Sequence, residues 1–259
     1  MKYLYYFLII GIILFLFFSP NSSVLNWVVN WKWYVWLVVV PLWIIFATLV
    51  LFFVETYRKE KVTPMPDVPL TNEQSRFSKE FFANGFVSHG PPIKIVRKWT
   101  FLVIPFIHRD KEIIGVIHCT KGPFRPAIQL ILESNFTDSK GNLGTVNAPK
   151  STYAAADPMC LRQVIPTMEV KGLLEHHQGA IQFLKEKGIR FQKITSGCFM
   201  SDYKTQTAKS YREMRKRIFK ISLVWLWRSL TGRTPYRGSL KNQKRVEKQI
   251  LYIQSKLDS

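Results

Sequence analysis

Five histidines and three cysteines are the side chains best suited to metal binding or nucleophilic chemistry, and their spacing decides how far either idea goes. His118 and Cys119 are neighbours in a stretch with strand character, where successive side chains point to opposite faces, so one ion cannot easily take both. His176 and His177 fall in a helical stretch and diverge by about 100°. No C-x-x-C or H-E-x-x-H spacing occurs, so neither a metal nor any other cofactor is expected.

His177 is the weak candidate for catalysis. It lies on an apolar face between Leu173, Leu174 and Ile181, where a histidine is ordinarily buried and hydrogen-bonded to a carbonyl. The functional alternative makes it a general base or proton shuttle, with Asp157 or Cys160 from the preceding segment as partner. Cys198, in the turn Thr195-Ser196-Gly197-Cys198, lacks the glycine pattern of a nucleophile elbow and reads as a loop residue. Asn135-Phe136-Thr137 matches a glycosylation acceptor but falls on the side expected to be cytoplasmic, where it stays unmodified.

The feature with the strongest functional content is cationic. The net charge is +20, from 37 Lys and Arg against 17 Asp and Glu, and 14 of those cations fall between Lys204 and Lys248. Lys209, Arg212, Arg215, Lys216, Arg217 and Lys220 alternate with apolar residues along a helix expected over Ala208 to Trp227. Its second half, Ile218 to Trp227, is almost wholly apolar and ends in Trp225, Trp227 and then Arg228. Ten apolar residues cannot span a bilayer, so this stretch either lies in the headgroup region or packs on the domain. Anionic lipid is the favoured partner, with a protein partner at the membrane beside it; nucleic acid is disfavoured.

What positions this helix is set at the other end of the chain. Trp33 to Val54 is 22 residues without a charge, long enough for the roughly 30 Å hydrocarbon core. The run from Tyr3 to Phe18 is shorter and lacks an Ala-x-Ala cleavage pattern, so it is expected to stay as a first spanning helix. Lys2 precedes the first run and Arg58, Lys59 and Lys61 follow the second, which places both termini in the cytoplasm of a two-helix protein of the cell membrane. Sparse, odd-numbered cysteines fit that reducing side.

The expected organisation is a transmembrane hairpin over 1–57, with helices about 3–18 and 33–54, a proline-rich linker over 58–70, an α+β domain over 71–203 and a basic, partly helical segment over 204–259. Thr71 reads as an N-cap for a helix with Phe77, Phe81 and Phe82 on one face, ending at Asn84-Gly85. Short apolar runs follow: two strands in Ile93 to Ile107, divided at Pro105, then Glu112 to Cys119, Ala127 to Phe136 and Leu143 to Asn147. Short connections make these an antiparallel meander. Pro149 to Pro166 reads as a loop, Thr167 to Gly188 as a helix, and Lys241 to Leu257 as a short helix. The function expected from all this is a membrane-bound binding or scaffold domain; the rivals are an enzyme around His177 and polyanion binding by the tail.

Overall fold

A computed structural model describes residues 43–47, 49–50, 53, 61–96, 100–110, 112–121, 127–137, 141–147, 159–194, 199–220, 223, 238–243 and 246–257. The chain divides into two compact units, Met1–Glu55 and Thr56–Ser259. In the first, the described residues 43–47, 49–50 and 53 are helical. Among the described residues no helix is long and apolar enough to cross a membrane. The run Tyr3 to Phe18, and most of Trp33 to Val54, lie outside the described residues.

The second unit is built on one eight-stranded mixed sheet: β1 (Lys61–Pro64), β2 (Phe86–Ser88), β3 (Ile93–Val96), β4 (Thr100–His108), β5 (Ile114–Lys121), β6 (Ala127–Asn135), β7 (Asn142–Val146) and β8 (Cys160–Val164). Their order is β1-β3-β4-β5-β6-β7-β8, with β2 pairing β4 beyond the end of β3. The run from β3 to β7 is antiparallel, as short connections require. β8 breaks the meander by pairing parallel to β7. Residues 149–166 therefore contain a strand as well as a connection. The expected linker likewise contains β1, which pairs with β3 from Lys61↔Val96 to Pro64↔Ile93.

Among the described residues the sheet is accompanied by the helices α1 (Asn72–Ala83), α2 (Val170–Glu186), α3 (Phe199–Lys216) and α4 (Val246–Leu257), with a 3-10 turn at Leu240–Asn242. α1 starts as its sequence suggests. Thr71 accepts from the Gln74 N–H, and the Gln74 side chain accepts from the Thr71 N–H, a complete capping box. α2 lacks a side-chain cap of its own, but the Glu80 carboxylate on α1 accepts from the Val170 N–H at 3.2 Å, joining the two helices at a positive helix end.

Strand register sorts the residues into two cores. Leu102, Ile104, Phe106, Ile117, Cys119, Leu130, Leu132, Leu143 and Leu161 share one face and pack with α1, α2 and α4. Phe81 stacks on Phe106 at 4.6 Å and meets the edge of Phe86 at 5.0 Å, and Gly115 leaves the space that the Phe81 ring occupies. Each such buried ring is worth about 1.5–3 kcal/mol over its exposed state. The other face buries Ile93, Ile95, Val103, Ile114 and Val116 beneath Ile194 and Phe199.

The C-terminal residues, expected as a basic, partly helical segment, contribute to the core. Val246, Ile250 and Ile253 recur at helical spacing, are fully buried, and belong to the larger core. The Gln249 and Gln243 side chains donate to the outward carbonyls of Cys160 and Arg162, and the Gly238 N–H donates to Val164. The outer edge of β8 is thereby closed.

Candidate functional site

His177 is wholly enclosed in the larger core, between α2 and strands β6 to β8. Its Nε2 lies 3.0 Å from the Ser134 hydroxyl and its Nδ1 2.7 Å from that of Thr145. Gln163 on β8 donates to the Thr145 hydroxyl oxygen at 2.7 Å and to the His176 carbonyl at 3.0 Å, and its own oxygen accepts from the Leu240 N–H at 2.9 Å. Since Thr145 already accepts from Gln163, its own proton is free for the ring, which sets the tautomer. Thr145 donates to Nδ1, and the Nε2–H donates to Ser134. Partners are thus hydroxyls rather than the expected carbonyl.

Burial, with the Arg162 guanidinium adding to it, lowers the His177 pKa from the ordinary 6.5 to about 3, against a weaker upward pull from Asp110. The ring is neutral over the physiological range. Register puts Leu161 and Gln163 on the side of β8 that faces α2, and Cys160 on the other, so Cys160 and His177 are not brought together. Asp157 and Cys198 lie outside the described residues. What this arrangement does chemically is tie α2, β6, β7, β8 and the 3-10 turn through one polar chain.

The remaining titratable candidates separate in the same way. His176 is exposed beside buried His177. Cys119 points into the larger core, where burial pushes its thiol pKa up, while His118 points to the opposite face, stacks on Phe101 at 5.1 Å, and is lowered to about 4 by burial. Among the described residues no three His, Cys, Asp or Glu gather as metal ligands do.

The basic helix begins nine residues earlier than its charge pattern suggests. Phe199, Met200 and Tyr203, at the start of α3, pack on the second core, which is why the helix starts there. Beyond that turn Lys204, Ala208, Arg212, Lys216 and Lys220 are exposed at every fourth position, with Arg215 and Arg217 half-buried. Residues 218–220 are again helical after a turn at Arg217, and Phe219 is 59% exposed. Lys209 lies within α3; Trp225, Trp227 and Arg228 lie outside the described residues.

A small apolar cavity of about 100 Å³ opens where Pro64 and Ile93 meet Phe199, Met200 and the Gly90-Pro91 turn. Sequence reasoning missed it. The one signal was the turn-rich run His89-Gly90-Pro91-Pro92 between two strands. Compared with protein-family models, with curated proteins and with solved structures, the chain finds no match, so its function rests on these arrangements alone.

Proposed function

We propose that this is a membrane-anchored binding or scaffold protein of the cytoplasmic face, whose basic helix α3 docks on anionic lipid. One observation carries the reading: beyond its first turn, which packs on the second core, α3 holds Lys204, Arg212 and Lys216 exposed, and past the turn at Arg217 Phe219 and Lys220 are exposed too. Each cation near an acidic leaflet contributes about 1 kcal/mol, and an apolar end suits the acyl boundary. From Val54, the end of the second apolar run, to Lys61 at the start of β1, the chain reaches about 25 Å at most. So short a tether keeps the local concentration of the helix at the lipid high. Enclosure of His177 weighs against the rival enzyme, since no substrate reaches a ring whose two nitrogens are already engaged.

The test uses residues 56–259, which hold both cores, mixed with vesicles. Sedimentation with acidic vesicles and much less with neutral ones is the expected result, falling as salt is raised. Arg212→Glu, Lys216→Glu and Lys220→Glu together reverse three exposed charges and should remove most of the binding at unchanged melting temperature. Indifference of the parent protein to acidic vesicles would refute the lipid reading. Tight, salt-sensitive binding of duplex DNA without vesicle binding would replace it with the polyanion one.

A further inference from the structure

The two edges of the sheet are treated differently. On β8 the three outward carbonyls, of Cys160, Arg162 and Val164, are each taken up by the C-terminal residues. On β1 the opposite holds. Met65 donates its N–H to the Pro92 carbonyl, so in this antiparallel ladder Thr63 and Lys61 also face β3. Val62 and Pro64 then face outward, and the Val62 N–H, the Val62 carbonyl and the Pro64 carbonyl have no partner among the described residues. Pro64 sits where its missing N–H interrupts no ladder bond, as prolines on edge strands do.

Register also sorts the side chains along this edge. Val62 and Pro64 lie on the face of Ile95 and Ile93, under the start of α3, and the apolar cavity opens beside Pro64 on that face. Lys61 and Thr63 lie on the other face with Val96 and Lys94, which puts two cations there. A strand laid along β1 would meet an apolar hollow on one side and positive charge on the other.

We infer that the β1 edge is a docking site for an extended peptide segment in which apolar residues alternate with acidic ones. Main-chain bonds to Val62 and Pro64 hold it as an added strand, while an aliphatic side chain enters the cavity and its carboxylates meet Lys61 and Lys94. Strand alternation makes the sequence requirement specific, since a one-residue slip carries the carboxylates to the apolar side. This inference supplies a partner for the scaffold reading above and is independent of the lipid contact made by α3.

The experiment takes the full chain in lipid nanodiscs of neutral lipid and a fluorescent synthetic peptide alternating leucine with glutamate. Anisotropy should rise to saturation, and a peptide alternating leucine with lysine should bind at least about tenfold more weakly. Val62→Pro removes the outward donor and should weaken binding at least about tenfold. Lys61→Glu with Lys94→Glu, two surface changes that spare the ladder, should reverse the preference in favour of the lysine peptide. No saturable binding of the glutamate peptide, or equal binding by the charge-reversed protein, would overturn the inference. Because the peptide assay contains no acidic lipid, vesicle docking by α3 succeeds or fails separately from it.

Discussion

Protonating His177 would force the Thr145 hydroxyl to turn away from Nδ1 and leave a positive ring enclosed near Arg162, with only a weaker compensating pull from Asp110. The unfolded chain takes up that proton near pH 6.5 and the folded one only near pH 3. Its contribution to stability is therefore complete above pH 6.5 and is lost as the pH falls towards 3, by about 1.4 kcal/mol per pH unit. Residues 56–259 with His177→Gln should be less stable at pH 8 by about 2–3 kcal/mol, through lost packing and imperfect hydrogen bonds. Their stability should also depend less steeply on pH between 6 and 4, which urea titrations at a series of pH values measure. An unaltered slope would show that water reaches the ring. The spacing of Leu173, Leu174, His177 and Ile181 already points the ring inward. Its partners are not readable locally, since Ser134 and Thr145 lie 43 and 32 residues away and the third member, Gln163, comes from a strand that the pattern hides.

Elements were legible where one interaction dominates. The α1 cap at Thr71 and the α2 stop at Lys187 and Gly188, with Gly188 at φ 83°, are local chemistry, and both helices end close to where residue types indicate. Pro105 misled in the other direction, because a proline was expected to divide a strand. β4 runs through it, since the Pro105 carbonyl accepts from His89 on the side where β3 has ended and β2 begins, and no ladder bond is lost. β8 was hidden because Arg162 and Gln163 interrupt the apolar alternation. Gln163 is nevertheless buried through its hydrogen bonds, and Arg162 crosses the register row Glu133↔Gly144↔Arg162 to reach Glu133 at 3.2 Å. Only glycine at the middle of that row leaves the room: a Cβ on Gly144 would overlap the guanidinium, with Cζ 2.6 Å away. Gly144→Ala should consequently displace Arg162 and destabilise the domain by about 1–3 kcal/mol, the range for breaking a largely enclosed ion pair. In combination with Arg162→Ala the same substitution should cost much less, because the clash is gone, and calorimetric melting of the four proteins measures that coupling. Additive losses would mean that Arg162 does not lie over the glycine.

At the scale of the molecule, β1 begins at Lys61 and α4 ends at Leu257, yet both belong to the one unit Thr56–Ser259. Under the proposed anchoring, the described residues from the first strand to the last helix, being one compact unit, are expected on a single side of the membrane. The apolar stretch Ile218 to Trp227, too short to span, cannot change that. The cytoplasmic side proposed for this unit rests on charge: Lys2, Arg58, Lys59 and Lys61 flank the two apolar runs, whereas Ser19 to Lys32 holds a single Lys. Because β1 pairs so soon after the tether, a reporter inserted after residue 60 would sever the sheet from its anchor, and fusion after Ser259 is the sounder probe. A reporter active only in the cytoplasm should work there, and one active only outside should stay silent. Ser22→Cys, in the short connection between the runs, should react in intact cells with a maleimide that does not cross membranes. On the proposed orientation the native cysteines should react only after lysis. Activity of the external reporter after Ser259 would invert the orientation, and with it move α3 away from the acidic leaflet on which the proposed lipid contact depends. Failure of Ser22→Cys to react in intact cells, with the cytoplasmic reporter still active, would instead mean that the connection is not outside and that the first run does not cross the bilayer.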